Sequence, residues 1–459
     1  MRSAPMIDRI WTRSFAVAVC VGLAIGAQTT MVEATTPRNI ERCVNAKNTY
    51  SPDVAIKACT AAIKSGAWRG KKLAWAYIGR GNAQYRNKSF EQSILDYSEA
   101  IRLDPSLASA FYARGNAHRE LKDPHRAIAD FDQAIRLDPR NAAAFIGRGN
   151  AYHDKKDFDR AIADYDRAIR IDPNDALAFN NRGNSHRSKK YLDRAIADFD
   201  QAIRINPNYA LAFRNRADAH HDKKDFDRAI ADFDKALQID PNLEAAANNR
   251  AIAYRDRKLL DDAIAAFDSA IRLDPSNALA FTNRGIAYAD KKDVDRAVAD
   301  FEKAIRLNPA DSQALLALGS LKVRKKEYDA ALAHLDAAIN HDPTNSTALN
   351  NRCWTRALLN RDLEKARADC DESLRLKPFN MHTHDSRGLV HLRLGNVDQA
   401  LADYDLAVQL VPTEAHPRFG RGIARLRKGD RTGGEADIAA AIAMQPGIAA
   451  EYADFGIVP

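Results

Sequence analysis

Few side chains in this sequence of 459 residues have the types and spacing that catalysis or metal binding requires. It contains no glycine-rich phosphate loop, no nucleophile motif with a candidate base and no ligand set at zinc spacing. His382, His384 and His391 come nearest to a metal cluster, but His382 and His384 would point to different sides of a helix. We therefore predict no catalytic residue, no metal site, no cofactor and no enzymatic activity.

Cysteine is the other residue type in this sequence that could take part in chemistry. Cys20 lies in an apolar run near the N-terminus, and four cysteines follow it: Cys43, Cys59, Cys353 and Cys370. None of them forms a C-x-x-C motif, so a catalytic redox pair is not predicted. An even number of cysteines would favour structural disulfides if the chain matures in an oxidising compartment.

The N-terminus indicates such a compartment. Three arginines precede an apolar run over residues 15–27, and small residues follow it. This pattern predicts a secretory signal peptide over residues 1–34, cleaved after Ala27 or after Ala34. The run is shorter than the roughly 20 apolar residues of a membrane span, so a retained anchor and a lipidated Cys20 are the less favoured alternatives. We predict a periplasmic or secreted protein with no stable membrane insertion after cleavage.

A repeat of 34 residues sets the organisation of the chain, because prolines recur at that interval from Pro105 to Pro343 and again from Pro378 to Pro446. Within one period, over residues 142–175, apolar residues fall at helical spacing in two blocks separated by the polar turn HDKKD. The Asp-Pro pair ends the second block, because proline cannot continue a helix. Each period therefore predicts one helical hairpin, and the repetition of the period along the chain predicts a solenoid.

The pattern inside the period resembles the tetratricopeptide repeat (TPR). Large, small and aromatic residues occupy the family's positions in the unit that begins at Ala142, namely Phe145, Gly149, Tyr152, Ala161, Tyr165, Ala168 and Pro173. The resemblance implies an all-α fold, a right-handed superhelical solenoid of about twelve antiparallel helical hairpins. It names an architecture and not an activity.

The predicted boundaries follow from the repeat. After the signal, residues 35–73 form a degenerate first repeat with a disulfide, residues 74–448 form the regular array, and residues 449–459 form a C-terminal capping helix. Cys43 and Cys59 occupy positions 8 and 24 of the first repeat. Cys353 and Cys370 occupy the same positions of a later repeat once a one-residue insertion is discounted. These positions face each other across a hairpin, so we predict two disulfides, against packing of small free thiols.

Position 7 of the unit is usually arginine and position 23 usually aspartate, whereas the family commonly has leucine at position 7. In the unit that begins at Ser312 both change together, to Leu318 and His334. We therefore predict an ion pair between the two helices of a hairpin, the alternative being two independently solvated charges.

In the family, the first helix of each hairpin lines a concave groove. The resemblance places two lines of asparagine there, at positions 6 and 9, together with one tryptophan; the predicted groove residues are Asn116, Asn150, Asn181, Asn184, Asn215, Asn249, Asn283, Asn351 and Trp354. An amide offers both an acceptor and donors to the main chain of an extended peptide. The alternative is that these residues bond to neighbouring helices.

The net charge is +8, but acidic and basic residues alternate, so no basic block favours nucleic acid. The lysine pairs in the hairpin turns have aspartates beside them, which weaken the local positive potential. We therefore interpret these turns as solvated and not as an anion-binding edge.

We predict an exported scaffold whose partners are other proteins or extended peptides. The alternatives are a non-catalytic subunit of an envelope polysaccharide or cell-wall complex, and a spacer without a groove ligand. Association of two copies is left open.

Overall fold

A computed structural model describes residues 37–44 and 49–458. The predicted signal peptide lies outside the described residues. The described chain is helical with short connections, and its helices form two compact units, residues 1–241 and 242–459. This confirms the predicted all-α array of helical hairpins. The division into two units was not predicted.

The first unit contains six hairpins in its described part. Its helices are α1 Pro37–Val44, α2 Pro52–Lys64, α3 Gly70–Arg86, α4 Phe90–Leu103, α5 Ala108–Glu120, α6 Pro124–Leu137, α7 Ala142–Asp154, α8 Phe158–Ile171, α9 Ala176–Ser188, α10 Leu192–Ile205, α11 Ala210–Asp222 and α12 Phe226–Ile239.

The second unit contains six hairpins and one further helix in its described part. These are α13 Glu244–Asp256, α14 Leu260–Leu273, α15 Ala278–Asp290, α16 Val294–Leu307, α17 Ser312–Arg324, α18 Tyr328–His341, α19 Ser346–Leu358, α20 Leu363–Leu376, α21 Met381–Arg393, α22 Val397–Leu410, α23 Ala415–Lys428, α24 Arg431–Met444 and α25 Ile448–Asp454.

The core of each hairpin forms where an aromatic ring of the second helix meets a small residue of the first. A Cβ added to Gly149 would lie 2.7 Å from the Tyr165 ring, so glycine lets this ring approach the first helix more closely than a larger residue could without a shift. Tyr165 is buried, as are Phe131 and Phe199 at the equivalent positions of the flanking hairpins. The period of the sequence is therefore a period of packing contacts.

The lysine pairs lie in the turn inside each hairpin. The second lysine of each pair has a left-handed backbone, with φ of 64° at Lys190, and Gly395 and Gly429 adopt the same conformation in later hairpins. A left-handed residue after the last turn lets the backbone cap the helix, and glycine reaches it without steric cost. Lysine here therefore carries a small conformational penalty.

We expect Lys190→Gly to stabilise its hairpin. Removing the left-handed strain should raise the free energy of unfolding by about 0.5–1 kcal/mol, net of the greater flexibility of glycine in the unfolded chain. Lys189→Gly is the comparison, because Lys189 has φ of −82° and so gains no relief of strain from glycine, while it loses its ion pair with Asp159. Urea titration followed by circular dichroism measures both variants. Equal destabilisation by the two would contradict the assignment.

Candidate functional site

The first helices of successive hairpins contact one another within each unit, as α5 does α7 and α7 does α9. In the described part of each unit, the second helices have no such contacts with one another. The first helices therefore lie on the more closely packed side of the unit. We call the side of the first helices that carries the predicted groove positions 2, 5, 6, 9, 12 and 13 of each repeat the inner face.

The asparagines at position 6 bond mainly to other asparagines. Asn181 donates its amide to Asn150 at 2.9 Å, and Asn215 donates to Asn180 of the preceding hairpin at 2.8 Å. Asn215 is 3% exposed, so its side chain is inside the protein and not on an open surface.

The same arrangement recurs in the second unit. Asn283 is buried and donates to Asn248 at 3.3 Å, and Asn351 donates to the Ser320 hydroxyl at 2.9 Å. Burial thus corrects the prediction for Asn215 and Asn283, which bridge neighbouring first helices and are not accessible to a peptide. Asn249 is half-buried.

The asparagines at position 9 are more accessible. Asn150 accepts from the Tyr165 hydroxyl at 2.7 Å as well as from Asn181, so its acceptor is occupied. Asn116 is half-buried and interacts with Tyr112. The Asn184 amide is half-buried and makes no hydrogen bond to another side chain in the part of the chain that the structure describes. Asn116 and Asn184 are therefore the predicted groove residues of the first unit whose amides remain most available.

The predicted arginine–aspartate pairs are present. Arginine at position 7 donates through Nε and Nη2 to both oxygens of the aspartate at position 23, as Arg148 does to Asp164 at 2.8 and 2.6 Å. This bidentate geometry joins the two helices of a hairpin. The same pairing occurs in Arg80 with Asp96, Arg114 with Asp130, Arg182 with Asp198, Arg216 with Asp232, Arg284 with Asp300, Arg352 with Asp369, Arg387 with Asp403 and Arg421 with Asp437.

The arginine also contacts the preceding hairpin, which was not predicted from the sequence. Its Nη1 reaches position 25 of the preceding hairpin, so that Arg148 bonds Asp132 at 2.6 Å and Arg284 bonds Asp268 at 2.5 Å. Arg114 bonds Ser98 in the same way at 3.0 Å. Each arginine thus joins three helices of two successive hairpins.

Burial determines the energetics of these pairs. Burial raises the pKa of the Asp164 carboxyl, against the opposing effect of its hydrogen bonds to Arg148. Removal of one partner would leave the other charge buried and uncompensated. In the hairpin that lacks the arginine, Leu318 is 1% exposed and packs in the core, and burial lowers the pKa of His334. Leu318 and His334 therefore replace an ionic contact with an apolar one.

The first lysine of each turn pair also bonds between hairpins. Lys223 donates to Asp193 at 2.5 Å, Lys325 to Asp295 at 3.3 Å, and Lys189 pairs with Asp159. These contacts occupy the turn lysines with local carboxylates, as expected for solvated turns.

The structure places the cysteines of each predicted pair in bonding contact. Cys43 is joined to Cys59 with their Cα atoms 4.7 Å apart, and Cys353 to Cys370 at 5.7 Å. All four side chains are buried between the two helices of their hairpins.

Loss of the second bridge should destabilise its hairpin. We expect Cys353→Ala/Cys370→Ala to lower the free energy of unfolding by about 3 kcal/mol, because the bridge closes a short loop in the unfolded chain. Urea titration of the variant beside the oxidised and reduced wild type measures this. Iodoacetamide labelling of the unreduced protein under denaturing conditions is the control, since full labelling at Cys353 would contradict the bridge.

The three histidines do not converge on a metal. His384 is buried, and its Nδ1 lies 2.9 Å from the Asp403 carboxylate while its Nε2 contacts the Pro378 carbonyl. Among the described residues no group of three metal-ligating side chains is assembled.

Trp354 lies on the inner face of the second unit and is half-buried by the C-terminal segment. Its ring contacts the Phe455 ring at 5.9 Å in edge geometry and the His416 ring at 6.2 Å. The capping helix predicted over residues 449–459 overlaps α25, and Tyr452 at the centre of α25 is fully buried against Phe419. The contact between Phe455 and Trp354 was not predicted from the sequence.

The repeat model of the tetratricopeptide family matches residues 112–176, 180–244, 282–348, 316–381 and 355–415, more than half of the chain. The chain belongs to the tetratricopeptide repeat family. A second TPR repeat model matches residues 81–122 and 252–292. A search of curated protein sequences found no match.

Solved structures similar to this TPR chain include YrrB, described as a TPR protein with an unusual peptide-binding site, at 26% identity and TM-score 0.35, covering 41% of this chain and 96% of YrrB. Yeast Tom70 matches at 17% identity and TM-score 0.38, covering 82% of this chain and 93% of its own. A tetratricopeptide repeat protein from Parabacteroides merdae matches at 19% identity and TM-score 0.45, covering 54% of this chain and 98% of its own.

The described residues contain no helix that is both long enough and apolar enough to cross a membrane.

Proposed function

We propose that this TPR protein is an exported scaffold that binds extended segments of partner proteins along its inner face. The observation that carries the proposal is the half-buried amide of Asn184, which makes no hydrogen bond within the described residues and lies on the first-helix side of its unit. Leu211, at position 2 of the next hairpin, exposes 43% of its surface on the same side. An amide and an exposed apolar side chain on the same side of successive hairpins can bind the main chain of a peptide and one of its side chains together.

Export is part of the proposal and is supported by two features. The sequence pattern over residues 1–34 is typical of a secretory signal. The structure joins two buried cysteine pairs, and such bridges persist in oxidising compartments.

Affinity capture from an envelope extract tests the function. We expect Asn116→Ala/Asn184→Ala to lose most of the proteins that the wild type retains, because the variant removes the two half-buried amides at position 9 that remain most available. Asn174→Ala/Asn208→Ala is the matched control, since both residues are exposed in the connections between hairpins. An unchanged set of captured proteins would contradict binding at the inner face and would favour a spacer. Retention of purified glycan alone would favour the polysaccharide complex.

A further inference from the structure

Eight hairpins have a lysine at position 15 of the repeat, in the turn between their two helices. Its backbone is left-handed and its side chain is exposed in every one: Lys88, Lys122, Lys156, Lys190, Lys224, Lys258, Lys292 and Lys326. This conformation has a steric cost for a residue with a Cβ, and Gly395 and Gly429 form the same turn in later hairpins without it. The turn therefore does not require lysine. A cost repeated in so many turns points to a use for the charge.

The carboxylates around these lysines are already paired with other cations. From the sequence, the neighbouring aspartates were expected to weaken the positive potential of the turns. Around Lys156, however, the Asp157 carboxylate pairs with Arg160, and the Asp159 carboxylate pairs with Lys189 of the next hairpin. Each carboxylate of this turn thus has its own counter-charge, and Lys156 is left without one.

The same arrangement recurs in the neighbouring turns of the first unit. Their carboxylates are paired as follows: Asp123 with Arg126, Asp193 with Lys223 and Asp225 with Arg228. We call the position-15 lysines of these four successive turns, Lys122, Lys156, Lys190 and Lys224, the lysine edge. In the part of the chain that the structure describes, none of the four makes an ion pair.

The lysine edge forms one row. Each of its lysines follows the end of a first helix, and the first helices α5, α7, α9 and α11 contact one another in succession. Neighbouring helices pack about 8–10 Å apart, so the row offers one positive charge at roughly each such step. A lysine head is a compact charge on a flexible stem, which binds an anionic group without demanding one orientation. An extended chain with regularly spaced anionic groups therefore matches the row.

The surroundings of the row favour a polysaccharide among linear polyanions. Single-stranded nucleic acid is bound through a succession of aromatic rings as well as cations, and Tyr191 is the one exposed aromatic residue of the four turns. A segment of an acidic protein carries its charges at irregular intervals. A polysaccharide with a carboxylate on its repeating unit needs neither stacking rings nor side-chain pockets.

We propose that the lysine edge binds a linear polysaccharide that carries carboxylate groups at regular intervals, and that successive hairpins each neutralise one of them. This is a second binding surface, at the turns and not on the inner face. The choice of polysaccharide rests on the export in the proposed function, because export brings the edge among the polymers of the cell surface.

Fluorescence anisotropy of the full chain with labelled alginate, at physiological ionic strength, tests the edge. The edge variant combines Lys122→Gly, Lys156→Gly, Lys190→Gly and Lys224→Gly. We expect it to bind alginate at least about tenfold more weakly than the wild type, because several charge contacts to one chain act together. Glycine suits the left-handed turn, so the variant should fold at least as stably as the wild type. Undiminished binding by the edge variant would overturn the proposal, as would equal binding of uncharged dextran by the wild type.

A matched control separates the edge from the net charge of the protein. It combines Arg102→Gln, Arg136→Gln, Arg170→Gln and Arg204→Gln, at exposed positions of successive second helices with the same spacing of 34 residues. This variant removes as much positive charge as the edge variant does. We expect its affinity for alginate to change by less than about twofold, because charges away from the edge are screened by salt. An equal loss of affinity in the two variants would contradict a site at the edge.

The source of the polymer is tested with envelope fractions. The quantity measured is the edge-dependent binding, the difference between the wild type and the edge variant. We expect it to survive protease and nuclease treatment of the fraction and to disappear after carbodiimide-coupled reduction of its sugar carboxylates. Loss after protease would overturn the choice of polysaccharide in favour of an acidic protein, and loss after nuclease in favour of nucleic acid.

The two binding surfaces can be tested apart. The edge variant should capture the same proteins as the wild type, and Asn116→Ala/Asn184→Ala should still bind alginate. Loss of alginate binding in Asn116→Ala/Asn184→Ala would contradict a separate edge. Failure of the alginate tests with retained protein capture would refute the edge alone and leave the scaffold function in place.

Discussion

Replacing Arg284 by leucine should lower the free energy of unfolding of its hairpins by about 3–5 kcal/mol. Its guanidinium donates to Asp300 at 2.8 and 2.6 Å and to Asp268 of the preceding hairpin at 2.5 Å. The Asp300 side chain is only 8% exposed, so the variant leaves a buried carboxylate without its counter-charge. Urea titration followed by circular dichroism, with hydrogen exchange to localise the loss, measures the effect.

The chain itself supplies the control. Its hairpin of α17 and α18 has Leu318 and His334 at the equivalent positions and packs the leucine in the core. The double variant Arg284→Leu/Asp300→His copies this pair and removes the buried charge. We expect it to recover most of the stability lost in the single variant. A double variant that is as unstable as Arg284→Leu would show that the arginine acts through something other than the buried ion pair.

Asp385 should make the second unit less stable as the pH rises. Burial raises the pKa of its carboxyl from the ordinary value of 3.8 to about 7, and the nearby charge of Glu414 acts in the same direction. Its Oδ1 has no hydrogen-bond partner within the described residues. The other titratable groups that act with it are the buried hydroxyls of Tyr404 and Tyr452, whose pKa values burial also raises.

The direction of the effect follows from proton binding. Between about pH 4 and pH 7 the folded chain keeps a proton on Asp385 that the unfolded chain releases, so the stability falls across that interval and levels off above it. The total is about 4 kcal/mol for a pKa raised by about three units.

Asp385→Asn removes the titrating group with little change of shape. We expect the variant to become more stable relative to the wild type as the pH rises, with the difference growing by about 2–3 kcal/mol between pH 5 and pH 8. Unfolding in urea at pH 5, 6, 7 and 8 measures the difference, and the comparison cancels every group that the two proteins share. A difference that does not depend on pH would contradict a raised pKa.

The fold could be predicted from the sequence because every repeat carries its own signals. The aromatic ring against Gly149, the left-handed turn and the Asp-Pro stop are local, and each hairpin contacts only its neighbours. The Arg148 and Asp164 pair could be predicted for the same reason, since the two positions change together in a single hairpin.

Contacts that depend on the relative placement of successive repeats were harder to predict. Position 25 carries an aspartate in many repeats, but only the packing of one hairpin on the next shows that Asp132 accepts from Arg148. The asparagine lines follow the repeat, yet burial of Asn215 depends on how closely the first helices approach. A residue pair 128 positions apart, Lys326 and Asp454, leaves no periodic signal at all.

The scaffold account implies that partners touch the first helices and not the second. A photo-crosslinking amino acid at Asn184 or Leu211 lies on the inner face, whereas one at Ala163 or Ala197 is exposed on a second helix. Each variant of the full chain would be expressed and irradiated in intact cells. The account predicts protein adducts from the two inner-face positions and none from Ala163 or Ala197. Adducts of equal yield from all four positions, or from the second helices alone, would contradict it.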